Sequence, residues 1–519
     1  MKTKHLIGIL ISLALICYLP FLGNKLVWDD EQFIYSNAYV RNFDIAKIFT
    51  TSTTDGAGIV SNYYRPFTTL SFAIDHQFWG IHPIGYHLPN LLLHLSSGLL
   101  LFYLLRLLKL PQNASFWLSA LFLIHPIQTE AVIYANSRGD SLYTFFTLLS
   151  LISFLYFYKQ KSIVIHFYDQ QLNISPKVFS IATPIFYLCG ILSKEIGVAS
   201  LGLFFLVLAK ESLIKNKKQS LKKTAVFLLF SLVLIAVTYL WLRATLLNFV
   251  DSFNFYETGS LYGSNIFVRL LTFSKIIWIY CKLLFVPYPL YIDRSTELVA
   301  SWRSIFPWMT LGLVAALSWF GWREYRRHNQ VWIWLGLGWF FGMLAPVSGI
   351  IPINGLLYEH WLYVPMIGFF LCLFGLSKLI TPNIKITGKK IHLLLTLFAF
   401  VLILLTIRQN YVWGTPIRLY THLLKYTETA RIHNNLAMAY ADDHNIEKAL
   451  QHYQLSLKLS QTYPQTFYNL ANLYIATGQY EQAILLLETA VAIAPDFTMA
   501  QLRLEQIFEA SAAGTLHSK

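Results

Sequence analysis

The sequence predicts an all-α protein: a polytopic bundle of transmembrane helices followed by a short solenoid of paired helices. Of its 519 residues, 55% are hydrophobic and only 13% are charged, whereas soluble domains carry about 25% charged residues. Apolar runs of about 18–23 residues, long enough to cross a bilayer, recur along the first 410 residues. After Tyr411 the composition changes and a 34-residue repeat begins. We therefore expect a membrane domain over 1–410 and a repeat domain over 411–519.

Eleven apolar runs predict about eleven membrane crossings. The segment 266–286 is different, because it carries Arg269, Lys275 and Lys282 at near-helical spacing. That pattern suits a helix lying in the membrane interface, and we do not count it as a crossing. The predicted spans are 5–22, 87–108, 114–134, 141–158, 177–193, 196–210, 223–245, 304–321, 331–348, 358–379 and 391–409.

The net charge of +14 is explained by membrane orientation. Lys and Arg outnumber Asp and Glu by 33 to 17 before Tyr411 and are outnumbered 7 to 9 after it. The excess lies in short loops, such as Lys215–Lys223 and Lys385–Lys390, which the positive-inside rule places in the cytoplasm. The first large loop, 23–86, the loop 246–303 and the repeat domain then lie on the opposite face. This distribution argues against a nucleic-acid partner.

The C-terminal region repeats with the period of tetratricopeptide units. Leu436, Ala437 and Tyr440 recur 34 residues later as Leu470, Ala471 and Tyr474, at positions where paired helices pack closely. We expect two main repeats at about 430–463 and 464–497, then a capping helix over 497–511. His444 or Asn445 stands where the second repeat has Gly478. Such a solenoid offers a concave surface for a polypeptide.

Candidate chemistry begins just past the first span. Asp29 and Asp30 follow Trp28 there, and carboxylates are costly to bury beside a bilayer. The predicted topology gathers further polar residues on the same face. Each of them alone is also explained as a helix cap or interface residue.

No Walker or dinucleotide-binding glycine motif is present, so a group donor would be dissolved in the bilayer. Asp29 and Asp30 could hold a divalent cation, Mg²⁺ or Mn²⁺, completed by a phosphate.

Several motifs in order resemble a known enzyme family. They are VWDDEQFIY, NYYRPFTTLSFAIDHQFWGIHPIGYHLPNLLLH, HPIQTEAVIYANSRGDSLY, SKEIGVASL and YEHWLYVPMIG, followed by the repeats. Together they resemble the transmembrane and tetratricopeptide-repeat O-mannosyltransferases and their prokaryotic relatives, of the glycosyltransferase-C superfamily. The resemblance implies a membrane enzyme that takes a sugar from a polyprenyl- or dolichyl-phosphate carrier on the non-cytoplasmic face. A protein hydroxyl receives the sugar, with inversion at the anomeric carbon.

Three features depart from the animal members of that family. The late motif reads Glu359-His360-Trp361 where they have Glu-Arg followed by another residue. The motif Ser137-Arg138-Gly139-Asp140 replaces Gly-Arg-Ala-Asp. Only about two repeats are present instead of a long array. The acceptor therefore stays open.

The resemblance assigns the expected role of Asp29, whereas charge and predicted topology suggest the roles of the other polar residues. Asp29 is the expected general base and Asp30 its supporting acid. A lipid phosphate leaving group needs positive charge, for which the candidates are Arg65, Arg138, Lys194, Arg269 and His360. Supporting residues are expected to be Asp75, His87, His125, Glu130, Glu195 and Glu359.

Two alternatives remain open at this point. The same fold could transfer a sugar to a glycan or lipid, or the chain could be a non-catalytic membrane scaffold that recruits partners through its repeats. The short loops and brief repeat region favour a prokaryotic inner membrane. A eukaryotic host would place the protein in the endoplasmic reticulum membrane.

Overall fold

The computed structural model describes residues 2–59, 61–167, 170–214, 223–245, 261–292, 294–351, 353, 355–380 and 388–512. Most of the basic runs at 215–223 and 385–390, and residues 246–260 of the predicted loop 246–303, lie outside these ranges. The helices are α1 Thr3–Tyr18, α2 Ala38–Arg41, α3 Ile45–Thr50, α4 Pro66–Trp79, α5 Ile84–Leu107, α6 Gln112–Ile124, α7 Thr129–Ile133, α8 Arg138–Lys159, α9 Pro176–Ser193, α10 Leu201–Ile214, α11 Lys223–Thr245, α12 Leu261–Ser264, α13 Ile266–Phe285, α14 Ile305–His328, α15 Trp332–Leu344, α16 Pro365–Ile380, α17 Gly388–Val412, α18 Pro416–Leu423, α19 Ala430–Asp442, α20 Ile446–Leu459, α21 Pro464–Ala476, α22 Tyr480–Ile493 and α23 Thr498–Ala512.

The all-α prediction is confirmed, apart from one small hairpin. Strands β1 (Ile163–Phe167) and β2 (Gln170–Ile174) pair antiparallel, with Ile163 opposite Ile174. Sequence reasoning did not predict this hairpin, which connects α8 to α9. Its five-residue strands are too short to give a clear alternating pattern in so apolar a chain.

The chain divides into two compact units. The membrane unit comprises Met1–Asn24 and Asp29–Tyr411, and the repeat unit comprises Lys25–Trp28 and Val412–Lys519. The change of unit near Tyr411 coincides with the predicted boundary between 410 and 411. The short piece Lys25–Trp28 was not expected in the repeat unit. Its Lys25 amide donates to the Gly414 carbonyl oxygen at 3.2 Å.

The membrane unit consists mainly of long apolar helices. Eight described helices are long and apolar enough to cross a membrane, or nine if the bent pair Gln112–Ile124 and Pro126–Ile133 is one span. Two shorter apolar helices, Trp332–Val347 and Pro365–Leu379, also occur. Each of the eleven predicted spans overlaps one of these helices. A multi-pass membrane protein is confirmed, whereas the number of crossings and their orientation stay predictions.

Helix α13 covers the segment predicted to lie in the interface. It forms a continuous helix from Ile266 to Phe285 and is not among the described candidate spans. Its Arg269 side chain is buried and donates to the carbonyl oxygens of Tyr262, Gly263 and Gly349 at 2.6–3.1 Å. The interfacial placement of α13 remains a prediction.

Helices α15 and α16 approach closely through two glycines. A Cβ atom added to Gly336 would lie 2.5 Å from the Gly368 oxygen, and one added to Gly368 would lie 2.5 Å from the Gly336 oxygen. Small residues at such crossings let helix backbones pack directly against each other. Gly342, also on α15, has open space instead, since a Cβ atom added there would meet nothing within 4 Å.

The repeat unit contains the predicted helix pairs. Helices α19 and α20 form the first repeat, α21 and α22 the second, and α23 follows as the expected capping helix. Side chains at equivalent repeat positions form the core because small residues allow the pairs to pack closely. The fully buried alanines are Ala437, Ala449, Ala471, Ala483, Ala490 and Ala500.

The turn between paired helices requires a left-handed residue in both repeats. Gly478 has φ +79° and His444, 34 residues earlier, has φ +58°. Glycine adopts this conformation without strain, whereas a residue with a Cβ atom pays about 1–2 kcal/mol. His444 therefore strains the first repeat at the position where the sequence lacks its usual glycine.

Replacing this histidine should stabilise the repeat unit. We expect His444→Gly to raise the free energy of unfolding by about 1 kcal/mol, because glycine removes the left-handed strain. Thermal unfolding of the full chain, followed by hydrogen exchange in α19 and α20, measures the change. The reciprocal variant Gly478→Ala should destabilise the second repeat. A lower stability of His444→Gly would contradict this account.

The glycine contact between α15 and α16 gives a second prediction. Gly336→Ala should destabilise the membrane unit by about 1–3 kcal/mol, since the added methyl group overlaps backbone atoms of α16. Gly342→Ala, on the same helix, should be tolerated. Thermal denaturation in detergent distinguishes the two variants, and equal melting temperatures would show that α15 and α16 can separate at little cost.

Candidate active site

One segment of the membrane unit, Glu130–Asp140, contacts most of the residues singled out from the sequence. It leaves α7 at Tyr134, which is extended (ψ 115°), makes a 3₁₀ turn over Ala135–Ser137 and enters α8 at Arg138. Because the backbone changes direction twice, neighbouring side chains point to different parts of the unit. Five of them hold partners that are distant in sequence: Glu130, Tyr134, Asn136, Arg138 and Asp140.

The paired acids after the first span are held by this segment. The Asp29 amide donates to the Tyr134 hydroxyl at 3.1 Å, and the Asn136 amide donates to Asp30 Oδ1 at 2.8 Å. Asp30 is buried, with 1% of its surface exposed, whereas Asp29 is half-buried. Of the two carboxyl groups, that of Asp29 is thus the more accessible to a substrate.

Tyr134 and Asn136 hold the acids through uncharged groups. The Tyr134 hydroxyl accepts the Asp29 amide and also accepts Asn136 Nδ2 at 3.4 Å. A tyrosine hydroxyl that accepts in this way can still donate its own hydrogen. These two residues lie in the motif HPIQTEAVIYANSRGDSLY, but they were not singled out from the sequence because neither carries a charge.

The Arg138 guanidinium group makes four hydrogen bonds within the protein. It donates to Asn90 Oδ1 (2.8 Å), Ser71 Oγ (3.1 Å) and the Tyr86 carbonyl oxygen (2.8 Å), and it forms an ion pair with Asp75. Only 1% of Arg138 is exposed. This geometry favours a structural role for Arg138, with Asp75 as its counter-ion, over contact with a substrate phosphate.

Two further predicted cations pair with carboxylates. Lys194 Nζ lies 2.7 Å from both carboxylate oxygens of Asp140, and Arg65 Nε lies 2.9 Å from Glu195 Oε2. Arg243 Nη1 is 4.0 Å from the other oxygen of Glu195. The Arg65 side chain retains 14% of its exposure and that of Lys194 retains 10%. Glu195 thus lies between two arginine side chains.

The late motif supplies two more ion pairs. His360 Nδ1 lies 2.6 Å from Glu130 Oε1, and Glu359 Oε1 accepts from Arg294 Nη2 at 2.7 Å. The His360 side chain is 17% exposed. Arg294 was missed by sequence reasoning because it sits in an irregular loop with no motif around it.

Two predicted supporting residues face other parts of the protein. His87 Nε2 lies 3.0 Å from the Asn24 carbonyl oxygen, and His125 Nε2 lies 3.2 Å from the Leu284 carbonyl oxygen. Both histidines are buried. Their contacts fix backbone positions, so these two residues support the fold around the site.

The described residues do not form a protein-only metal site. Across the described ranges, no three His, Cys, Asp or Glu side chains are grouped to share an ion. A divalent cation prefers about six oxygen ligands, and Asp29 with Asp30 would supply only part of that shell. The predicted Mg²⁺ or Mn²⁺ at these two residues, completed by a phosphate, stays a prediction.

The chain is similar to characterised proteins over most of its length. The tetratricopeptide repeat family matches residues 428–496. A protein O-mannosyl-transferase of Caenorhabditis elegans is 26% identical over 470 residues, covering 88% of this chain and 63% of that protein. Protein O-mannosyl-transferase TMTC4 of Homo sapiens is 25% identical over 493 residues, covering 85% and 64%. The chain spans just under two thirds of the length of these relatives.

Solved structures show a weaker likeness. The oligosaccharyltransferase of Archaeoglobus fulgidus in the apo form gives a TM-score of 0.43 at 14% identity, covering 84% of this chain and 60% of that chain. ArnT from Cupriavidus metallidurans in the apo state gives 0.40 at 13% identity, covering 94% and 78%.

The saturated environment of Arg138 predicts a folding defect on substitution. Arg138→Gln should cost about 3 kcal/mol, because it leaves the half-buried Asp75 carboxylate without its partner. We expect most of the variant to aggregate on extraction, as gel filtration in detergent would show. Arg327→Gln, at the exposed end of α14, is the control. A stably folded Arg138→Gln protein without activity would instead return Arg138 to the candidate phosphate contacts.

Proposed function

We propose that this chain, a relative of the protein O-mannosyl-transferases, is a membrane glycosyltransferase that transfers a hexose such as mannose. The donor is a polyprenyl-phosphate sugar, and the acceptor is a serine or threonine hydroxyl of a protein. The observation that carries the proposal is the pair Asp29 and Asp30, held by Tyr134 and Asn136 within a chain similar to these enzymes over 88% of its length. Transfer takes place on the non-cytoplasmic face.

Asp29 is the general base in this mechanism. The acceptor hydroxyl attacks the anomeric carbon, its proton passes to the Asp29 carboxylate, and the bond between that carbon and the phosphate oxygen breaks. One displacement of this kind inverts the anomeric configuration. Asp30 is buried and hydrogen-bonded. In this mechanism Asp30 adds negative charge beside Asp29. Its hydrogen bond with the Asn136 amide helps to keep the base in place.

The leaving phosphate needs cations close to it. Of the five candidates, Arg65 and His360 retain the largest exposed fractions, 14% and 17%. They are the direct contacts in our proposal. Lys194, Arg138 and Arg269 are at most 10% exposed, and they contribute by holding the surrounding helices and by their field.

The repeat unit provides the acceptor-binding surface in this proposal. Its paired helices form the type of solenoid that holds polypeptides on a concave face. The described part of the unit contains two helix pairs together with α18 and α23. In a second candidate function the acceptor is a glycan or lipid, and the repeats recruit a partner protein.

Removing the proposed base tests the function directly. With purified protein, a panel of polyprenyl-phosphate sugars and a peptide library, we expect Asp29→Asn to lower the rate of transfer by about 100-fold or more. The reason is that an amide cannot accept the hydroxyl proton. Mass spectrometry of the peptides and lipids identifies the product and its acceptor.

The neighbouring acid serves as the matched control. Glu31 is exposed, and Glu31→Gln should keep wild-type activity and stability. Full activity of Asp29→Asn would remove Asp29 as the base. A wild-type protein that modifies lipids or glycans but no peptide would favour the second candidate.

A further inference from the structure

Glu130 holds His360 through two separate contacts. Its Oε1 lies 2.6 Å from the ring Nδ1, and its Oε2 accepts the backbone amide of His360 at 3.2 Å. Glu130 itself is buried, with 4% of its surface exposed. Because a carboxylate can only accept, the hydrogen of the ring must sit on Nδ1. The atom of His360 that can gain or lose a proton is then Nε2.

The other neighbours of His360 leave this nitrogen available. The ring stacks on Tyr358 with centroids 5.4 Å apart and meets the edge of Trp361 at 6.2 Å. Within the described ranges, Nε2 has no hydrogen-bond partner, and the side chain is 17% exposed. His360 therefore resembles a histidine oriented by an acid for proton transfer.

The charged and titratable groups around the ring are few. Glu130 approaches from α7, and Tyr280 on α13 donates to the Tyr358 carbonyl oxygen at 3.2 Å. Glu359 precedes His360 in the chain, but its carboxylate is paired with Arg294 at 2.7 Å. Glu130 is thus the acid in direct contact with the imidazole ring.

The same short helix connects His360 to the proposed base. Glu130 lies on α7, and Tyr134, which accepts the Asp29 amide, follows four residues later. Residues four apart on a helix lie about 6 Å apart along its axis. Glu130 and Tyr134 are therefore separated by about one helical turn. Glu130 contacts His360, and Tyr134 contacts the backbone amide of Asp29.

We propose that His360, oriented by Glu130, donates the Nε2 proton to the lipid phosphate as it leaves the sugar. This inference rests on the proposed function and adds a general acid to it. The carbon–oxygen bond breaks, its electron pair stays on the phosphate oxygen, and the proton moves from Nε2 to that phosphate. The acceptor proton goes to Asp29. The lipid phosphate then leaves as a monoanion, and His360 is reprotonated from water.

The chemistry of the leaving group fits a histidine. A phosphodiester donor carries one negative charge, whereas the monoester product takes up a proton with a second pKa of about 6. Histidine is the side chain that changes charge near this pH. A proton can therefore pass between the two groups with little change in free energy.

A pH profile with a fixed-charge variant tests this proposal. For the wild type, we expect kcat to fall on the alkaline side of its pH profile, because a general acid must carry its proton to donate it. Glu130→Gln should lower kcat, because the ring loses the carboxylate contact that fixes its tautomer and orientation. His360→Arg should abolish the alkaline fall and transfer slowly at every pH, since arginine supplies charge but no proton. His328→Gln, at the exposed end of α14, is the control and should match the wild type.

A binding measurement separates this proposal from the proposed function. Undecaprenyl phosphate in detergent should bind His360→Arg about as tightly as the wild type, because arginine keeps a positive charge and N–H donors beside the phosphate, whereas its rate of sugar transfer should fall. Equal transfer rates for His360→Arg and the wild type, or an alkaline fall of kcat retained in His360→Arg, would overturn the role of His360. Binding as expected without any sugar transfer would instead count against the proposed function alone.

Discussion

Burying a charge without a counter-charge is prohibitively costly, and this constraint organises the membrane unit. An isolated ion inside an apolar environment loses several kcal/mol or more of solvation, and removing one partner of a buried pair is strongly destabilising. Four basic side chains of the membrane unit contact carboxylates that are far away in sequence. The pairs are Arg138 with Asp75, Lys194 with Asp140, Arg65 with Glu195, and His360 with Glu130. Each pair fixes the position of one helix or loop relative to another.

The segment Glu130–Asp140 is where most of these pairs converge. It is short, mostly buried and bent twice, so its side chains reach different helices. The same segment also holds the backbone around Asp29 and Asp30 through uncharged groups. Structural ion pairs and the proposed catalytic acids thus share one support, and a substitution there should affect folding as well as any chemistry. Experiments on this site need a measure of folded protein beside every measure of activity.

The local patterns in the sequence were reliable where neighbouring residues decide the structure. The 34-residue period identified both helix pairs, and the missing glycine of the first repeat marked the strained turn at His444. Each predicted apolar span falls on a helix. The hairpin at 163–174 and the place of Lys25–Trp28 in the repeat unit escaped prediction. The hairpin and the placement of Lys25–Trp28 both depend on contacts in the folded chain, and amino-acid composition does not specify such contacts.

The sequence by itself determined the helical membrane fold, the repeats, and the residue types from which a glycosyl-transfer site can be built. Helix periodicity, apolar length and a repeat are properties of adjacent residues, which is why they can be read directly. Only the tertiary structure decided which ionisable groups pair with each other. Arg138 and His360 looked equivalent as cations, yet one is enclosed by oxygen atoms and the other keeps an open ring nitrogen. The physical reason is that pairing depends on distance in space, and the partners lie between 54 and 230 residues apart along the chain.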